Sequence, residues 1–182
     1  KISEILEYVK LESAISSGKK KLELTDVSVK EVFHDAERAT KELAKSKNID
    51  LIFMPPAEGI KVTAHKNSLT NEILVNIISN SIKFCYSGGK ITVSSKVTDV
   101  GCSISIKDNG IGIPVHILSN IYDMNYSTHR KGTEGEKGTG FGMPLVKAIV
   151  DRISGKITIS SRTIEHSPDD HGTLTTIKLK SA

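Results

Sequence analysis

The chain has 182 residues, enough for one main domain with a short appendage and for a core that needs neither disulfides nor a structural metal. Hydrophobic residues make up 37% and charged residues 25%, the balance of an ordinary globular protein rather than a disordered or fibrous one. The formal net charge of +4 is not gathered into a Lys/Arg block, and 4% aromatics with no Trp argue against a stacking surface for nucleic acid. Cys85 and Cys102 stand apart, with no CxxC pair and no His at metal-ligand spacing, and read as two buried thiols of a reducing compartment. No apolar run reaches the length of a membrane span and no secretory leader opens the chain.

In chain order, Ile2, Ile5, Leu6 and Val9 recur at helical spacing until Ser16-Ser17-Gly18 ends the run, so a short N-terminal helix entered in mid-course is expected, cut from a longer protein. After Lys19-Lys20-Lys21, Leu22, Leu24 and Val27 predict an extended segment. Asp26 or Ser28 then caps a long helix through Lys47, with Val32, Phe33, Ala36, Ala39, Leu43 and Ala44 on its apolar face. Two short strands are predicted at Ile49–Met54 and Ile60–Thr63, split by Pro55-Pro56 and Gly59. The strongest helical stripe runs from about Asn67 to Phe84 through Leu69, Ile73, Leu74, Ile77, Ile78 and Ile82. A hairpin follows, Ile91–Val97 and Cys102–Lys107, then a short helix from Pro114 to Ile121. The stretch from Tyr122 to Gly140 is polar, Gly-rich and too long for an ordinary connector. Leu145–Ile153 is helical, and strands at Lys156–Ser161 and Thr173–Lys180 flank a polar hairpin loop. Hairpins interleaved with three longer helices imply a mixed sheet covered by helices on one face. A doubly wound nucleotide fold does not fit that order, and the absence of GxxxxGK[ST] removes the P-loop.

Three segments carry chemistry. Asn76 and Asn80 are one helical turn apart with Lys83 beside them, so two amides and an ammonium share an edge that can hold a hydrated Mg2+ and phosphate oxygens. Asp108-Asn109-Gly110-Ile111-Gly112 follows a strand, where a carboxylate can accept from an exocyclic amine and glycines admit a flat ring. Gly132 to Gly142, containing Lys137-Gly138-Thr139-Gly140-Phe141-Gly142, leads into a helix and offers backbone N–H groups to phosphate. Taken singly, these are also a polar helix edge, a turn and a surface loop. The polar tract with Glu165, His166, Asp169, Asp170 and His171 reads as a metal set or as a solvated loop, and its composition favours the loop.

In that order and spacing the three segments resemble the Bergerat-fold ATPases, and among them the sensor histidine kinase catalytic domain, over about residues 26–179. The resemblance implies an α+β, two-layer α/β sandwich with a mixed, mostly antiparallel sheet and three longer helices on one face. It divides the chain into residues 1–18, the tail of a dimerisation and phosphoacceptor hairpin, and residues 19–182, the ATP-binding domain with a lid at about 122–140. It makes Asn80 the Mg2+ ligand and puts Asn76 near the phosphates. Lys83 is put on a phosphate, Phe84 at the adenine edge, and Asp108 on the adenine amine with Gly110 and Gly112 admitting the base. Gly138, Thr139, Gly140 and Gly142 would line the triphosphate, and Arg130 and Lys137 would be lid cations reaching the γ-phosphate. Asn76, Lys83 and Arg130 would thus act in phosphoryl transfer.

The implied function is a protein-histidine kinase of two-component signalling that uses ATP and Mg2+. Its expected partners are a phosphoacceptor histidine on the parent's own dimerisation hairpin and a downstream response regulator receiver domain; the parent would be a homodimer and this domain cytoplasmic. Hydrolysing relatives keep a Glu where Asn76 stands. Here Glu72 lies one further turn back, which favours transfer over hydrolysis. His34-Asp35 is a helical His–acid pair without the residues that follow a phosphoacceptor, so the acceptor is expected elsewhere. The alternative is a regulatory nucleotide-binding module without transfer, to which Met143-Pro144 after the Gly-rich segment would be suited. Ser81 and Phe141 depart from the usual Ala and Leu, and the stretch before the lid is a poor match. The lid is expected to lack apolar anchors and to order on the triphosphate.

Overall fold

The computed structural model describes residues 23–126, 130–138 and 140–182. The expected N-terminal helix, its Ser16-Ser17-Gly18 linker and Thr139 lie outside the described residues, as do residues 127–129 of the expected lid.

Strand β1 (Thr25–Ser28) leads directly into α1 (Val29–Ser46), and of the two candidate caps it is Ser28 that serves, its Oγ accepting from Glu31 N at 3.5 Å. The buried stripe of α1 is Val29, Val32, Phe33, Ala36, Thr40 and Ala44. Ala39 and Leu43, expected on that face, are exposed. The helical period carries the inner line through Thr40 instead, whose Oγ1 donates to Ala36 O at 2.8 Å and so enters the core with its hydroxyl satisfied.

Strands β2 (Asp50–Phe53) and β3 (Lys61–Ala64) precede a π-helical stretch, Ser68–Val75, that runs without a break into α2 (Asn76–Phe84). The predicted stripe of Leu69, Ile73, Leu74, Ile77, Ile78 and Ile82 is buried throughout. The hairpin β4 (Lys90–Thr98) and β5 (Gly101–Asp108) follows, then a short α3 (Val115–Leu118), α4 (Gly142–Arg152), and the strands β6 (Lys156–Arg162) and β7 (Gly172–Lys180). Helix α4 starts at Gly142 rather than Leu145, because Pro144 sits in the first turn, where its missing N–H breaks no helical bond.

The main sheet has five strands in the order β2-β4-β5-β7-β6, with β2 parallel to β4 and the remaining pairs antiparallel. Strands β1 and β3 form a separate antiparallel pair, joined to the end of β7 by a bridge between Val62 and Ser181. Period-two alternation gives the sheet its two faces. Ile91, Val93, Cys102, Ile104, Ile106, Ile177 and Leu179 point inward under the helices, whereas Ser105 and Thr176 share a hydroxyl contact of 3.3 Å on the outer side. The α+β architecture is thus the one the sequence predicts. Among the described residues no helix is long and apolar enough to cross a membrane.

Ile82 is 1% exposed and Val97 57% exposed. Ile82→Ala should therefore cost about 2–5 kcal/mol by urea unfolding, and Val97→Ala no more than about 0.5 kcal/mol.

Candidate functional site

A cavity of about 540 Å³ opens between α2, the turn after β5 and the N-terminus of α4. Its lining includes Asn76, Asn80, Lys83, Phe84, Asp108, Gly112, Arg130, Lys137, Gly138, Gly140 and Gly142, so residues from three separate segments meet in one place.

At one end sits Asp108, 7% exposed. Its Oδ1 accepts from Gly110 N and Thr173 N, each at 3.0 Å, and its Oδ2 accepts from Ser81 Oγ at 2.8 Å. A carboxylate offers about four acceptor positions, so Oδ1 is saturated and Oδ2 keeps one position for a donor in the cavity. Burial pushes the Asp108 carboxyl above its ordinary value, against the three hydrogen bonds and the nearby His171. Around it the wall is apolar, with Ile113, Ile117, Ile121 and Ile159.

Gly110, expected to admit a flat ring, is needed for a different contact. A Cβ there would lie 2.6 Å from Phe84 O, so the turn presses against the C-terminal end of α2. Gly112 does line the cavity, at φ +71°, and a side chain on it would collide with the Arg162 carbonyl.

The opposite end is polar and cationic. Asn80 Nδ2 donates to Asn76 Oδ1 at 3.3 Å, which turns the Asn80 amide oxygen away from Asn76. Lys83 Nζ lies 4.8 Å and Arg130 Cζ 5.1 Å from the centroid of the Phe84 ring, so the ring expected at an adenine edge supports two cations. Burial, with Arg130 and Lys47 adding to it and Glu136 opposing, pushes the Lys83 ammonium below its ordinary value. Gly142 stands so close to Asn76 that a Cβ would lie 2.5 Å from its Oδ1, which brings the first turn of α4 against the paired amides.

Sequence reasoning did not find the polar anchors of the segment before α4. Among its described residues that segment, expected to lack apolar anchors, is held by hydrogen bonds and an ion pair. Thr133 Oγ1 donates to Cys85 O at 2.6 Å, and Thr133 N donates to Lys83 O at 3.1 Å. Lys47, its side chain 5% exposed, pairs with Glu136 and donates to Lys83 O at 2.8 Å. Partial burial acts to raise the Glu136 carboxyl, but the hydrogen bond from Lys47 brings it below the ordinary range. Arg130 donates to Gly112 O at 2.9 Å and so reaches the turn beside Asp108. Ser81, Thr173 and Lys47 were also not picked out for these roles; none has a local motif, since each acts on a residue distant in sequence.

Of the 165–171 cluster, His166 Nδ1 meets Thr163 Oγ1, Asp170 pairs with Arg162, and His171 Nδ1 meets Gly110 O at 2.6 Å. His34 is exposed on α1, 3.6 Å from Asp35, and does not line the cavity.

The family described as histidine kinase-, DNA gyrase B-, and HSP90-like ATPase matches residues 65–182, which hold α2, the Asp108 turn and the Gly-rich segment together. The chain belongs to that family. Within it, the chain is an ATP-binding domain of the sensor histidine kinase kind. Sensor histidine kinase Hik2 of Synechocystis sp. is 31% identical over 168 residues, 87% of this chain and 38% of that protein. WalK of Bacillus subtilis is 32% identical over 122 residues, 66% of this chain and 20% of that protein, so this histidine kinase domain spans well under half of either relative. The nucleotide-free catalytic domain of histidine kinase ThkA has the same fold, with a TM-score of 0.72 at 23% identity over 87% of this chain and 95% of that one. ThkA solved in complex with the response regulator TrrA aligns with a TM-score of 0.70 at 21% identity, over 100% of this chain and 49% of that one.

In the histidine kinase domain the raised Asp108 carboxyl favours the folded state most below the ordinary carboxylate range. That contribution is lost as pH rises through the folded-state value. Asp108→Asn removes the loss and keeps an acceptor for the two backbone N–H groups. The variant should therefore be more stable to urea than the parent near neutral pH, with the gap closing as the pH is lowered into the ordinary carboxylate range.

Proposed function

We propose that the domain binds Mg-ATP in this cavity and transfers the γ-phosphoryl group to a histidine on a dimerisation hairpin of its parent protein. The observation that carries the reading is one cavity with a single open carboxylate acceptor at one end and paired amides with cations at the other. Adenine lies among Ile113, Ile117, Ile121 and Ile159 with its exocyclic amine on Asp108 Oδ2. The phosphates lie toward Lys83, Arg130, Lys137 and the Gly138, Gly140 and Gly142 backbone at the start of α4, where N–H groups and the helix dipole favour anions.

The donor set fits a Mg2+ ion. One amide oxygen, Asn80 Oδ1, suffices when phosphates and water fill the remaining positions, as is usual for this ion. Bound there, Mg2+ would neutralise charge on the phosphate oxygens. Asn80 would hold it and Asn76 would orient the Asn80 amide through the 3.3 Å bond. Lys83 and Arg130 would stabilise charge that grows on the transferred group. Asn76 cannot take a proton from water, so hydrolysis lacks a base at that position. The response regulator as downstream partner, the homodimeric parent and the cytoplasmic placement of the domain are expectations of the same reading. The regulator finds support in the likeness to ThkA, which was solved with TrrA.

Calorimetry tests the binding. Asn80→Ala should abolish the Mg2+ dependence of ATP affinity and leave adenosine recognition in place. Asp108→Asn should weaken ATP by about 1–3 kcal/mol, and equal affinity of the parent chain for ATP and GTP would overturn the Asp108 assignment.

Transfer is tested with labelled ATP. The chain alone should neither label His34 nor hydrolyse ATP quickly, and should label a histidine hairpin supplied in trans. Binding without labelling of the hairpin would instead identify a regulatory module.

A further inference from the structure

The loop between β6 and β7, polar enough in sequence to read as solvated, is the back wall of the Asp108 turn. Successive groups of that turn are held from it and from the strand ends that flank it. His171 Nδ1 lies 2.6 Å from Gly110 O, Ile164 N donates to Ile111 O at 3.2 Å, and Ser161 Oγ accepts from Ile113 N at 2.8 Å. Gly172, at φ +126°, crosses the turn so closely that a Cβ would collide with the Asp108 carbonyl.

His171 holds the peptide that needs holding most. The peptide between Gly110 and Ile111 gives its N–H to Phe84 O at 3.0 Å and offers its C=O to the imidazole. On the other side of the same residue, Gly110 N donates to Asp108 Oδ1 at 3.0 Å. Glycine has no Cβ to resist rotation of its flanking peptides, so the clamp on both sides fixes where Gly110 N points. That N–H, with Thr173 N, sets the plane of the Asp108 carboxylate, and the plane sets where the remaining Oδ2 acceptor position faces. A carbonyl can only accept, so the ring must carry its proton on Nδ1.

We infer that His171 is a positioning residue that sets the selectivity of the cavity for a purine with an amine at C6, by locking the Gly110 peptide behind Asp108. The inference rests on the proposed nucleotide reading. It gives a role to a side chain that does not itself line the cavity, and the imidazole acts through the Gly110 peptide.

The test uses the 182-residue chain with two substitutions. His171→Leu removes the donor. His171→Asn places an amide N–H at the position of Nδ1. Calorimetry is run with ATP, GTP and inorganic tripolyphosphate. His171→Leu should weaken ATP about five- to tenfold, the worth of one neutral hydrogen bond, and shrink the ATP-over-GTP preference by a similar factor. Tripolyphosphate affinity should stay unchanged, and His171→Asn should restore the ATP value. Unchanged ATP-over-GTP preference in His171→Leu, or equal losses for ATP and tripolyphosphate, overturns the inference.

Nitrogen-15 shifts of the His171 ring, assigned by its loss in His171→Asn, should show the Nδ1–H tautomer in the neutral ring. The Nε2–H tautomer overturns the contact itself, and this readout stands even where His171→Leu does not fold. A parent chain that binds neither ATP nor tripolyphosphate, while its ring shows the Nδ1–H tautomer, would refute the nucleotide reading and leave the contact intact.

Discussion

The last carbonyls of an α-helix have no partner inside it and must find donors elsewhere. At the end of α2 those donors come from the end of α1, the Asp108 turn and the Gly-rich segment. Phe84 O takes Ile111 N from the Asp108 turn. Lys83 O takes Lys47 Nζ from the end of α1 and Thr133 N from the Gly-rich segment, and Cys85 O takes Thr133 Oγ1. The helix that carries Asn76, Asn80 and Lys83 on its side thus organises, with its end, the residues that face them. Those carbonyls are partly shielded from water, so each bond is worth more than a surface contact and each unmade bond would cost more. The position of Asp108 relative to Lys83, which defines the length of the cavity, follows from this shared attachment.

What was legible in the sequence divides along the same line. Strand alternation and the Leu69–Ile82 stripe are local patterns in which each residue answers to a period, and the structure buries them as the period predicts. Asn76, Asn80, Asp108 and the glycines were visible because an amide inside a helix or a carboxylate before Gly-x-Gly is unusual in place. The errors arose where a side chain answers to something distant. Thr40 is an exception of another kind: the helical period puts it, and not Leu43, on the inner line of α1, and Ala36 O satisfies its hydroxyl there. The π-helical stretch before Asn76 has no composition of its own. Lys47 and Glu136 are separated by most of the domain, and a lysine at a helix end reads as solvated until the glutamate is seen beside it. His171 was grouped with its acidic neighbours, whereas its ring turns toward Gly110.

The electrostatics of the polar end show why anchoring matters there. Lys83 and Arg130 sit over one phenyl ring, and burial first, with repulsion from Arg130 adding to it, pushes the Lys83 ammonium downward. Like charges over one ring oppose each other, and an anion beside them would relieve that repulsion. Glu136 offers partial relief from the side, and Lys47 in turn holds Glu136. The Glu136 carboxylate lies at the edge of this group, and a polyanion in the cavity would offset more of the positive charge than that single carboxylate does.

The same geometry bears on the proposed preference for a phosphoryl acceptor other than water. Asn76 is engaged on both sides, accepting from Asn80 and packed against Gly142 at the first turn of α4. An amide in that position can orient a neighbour but has no basic lone pair with which to draw a proton from water, and no carboxylate lies among the cavity-lining residues near it to do so. Glu72, the acidic residue closest in sequence, belongs to the π-helical stretch one turn earlier and does not line the cavity. A histidine nucleophile has no such need, because its neutral ring already carries a free lone pair and attack leaves the proton on the other nitrogen. On the proposed reading, a cationic site with no base near Asn76 among the described lining residues suits transfer to an imidazole brought from outside.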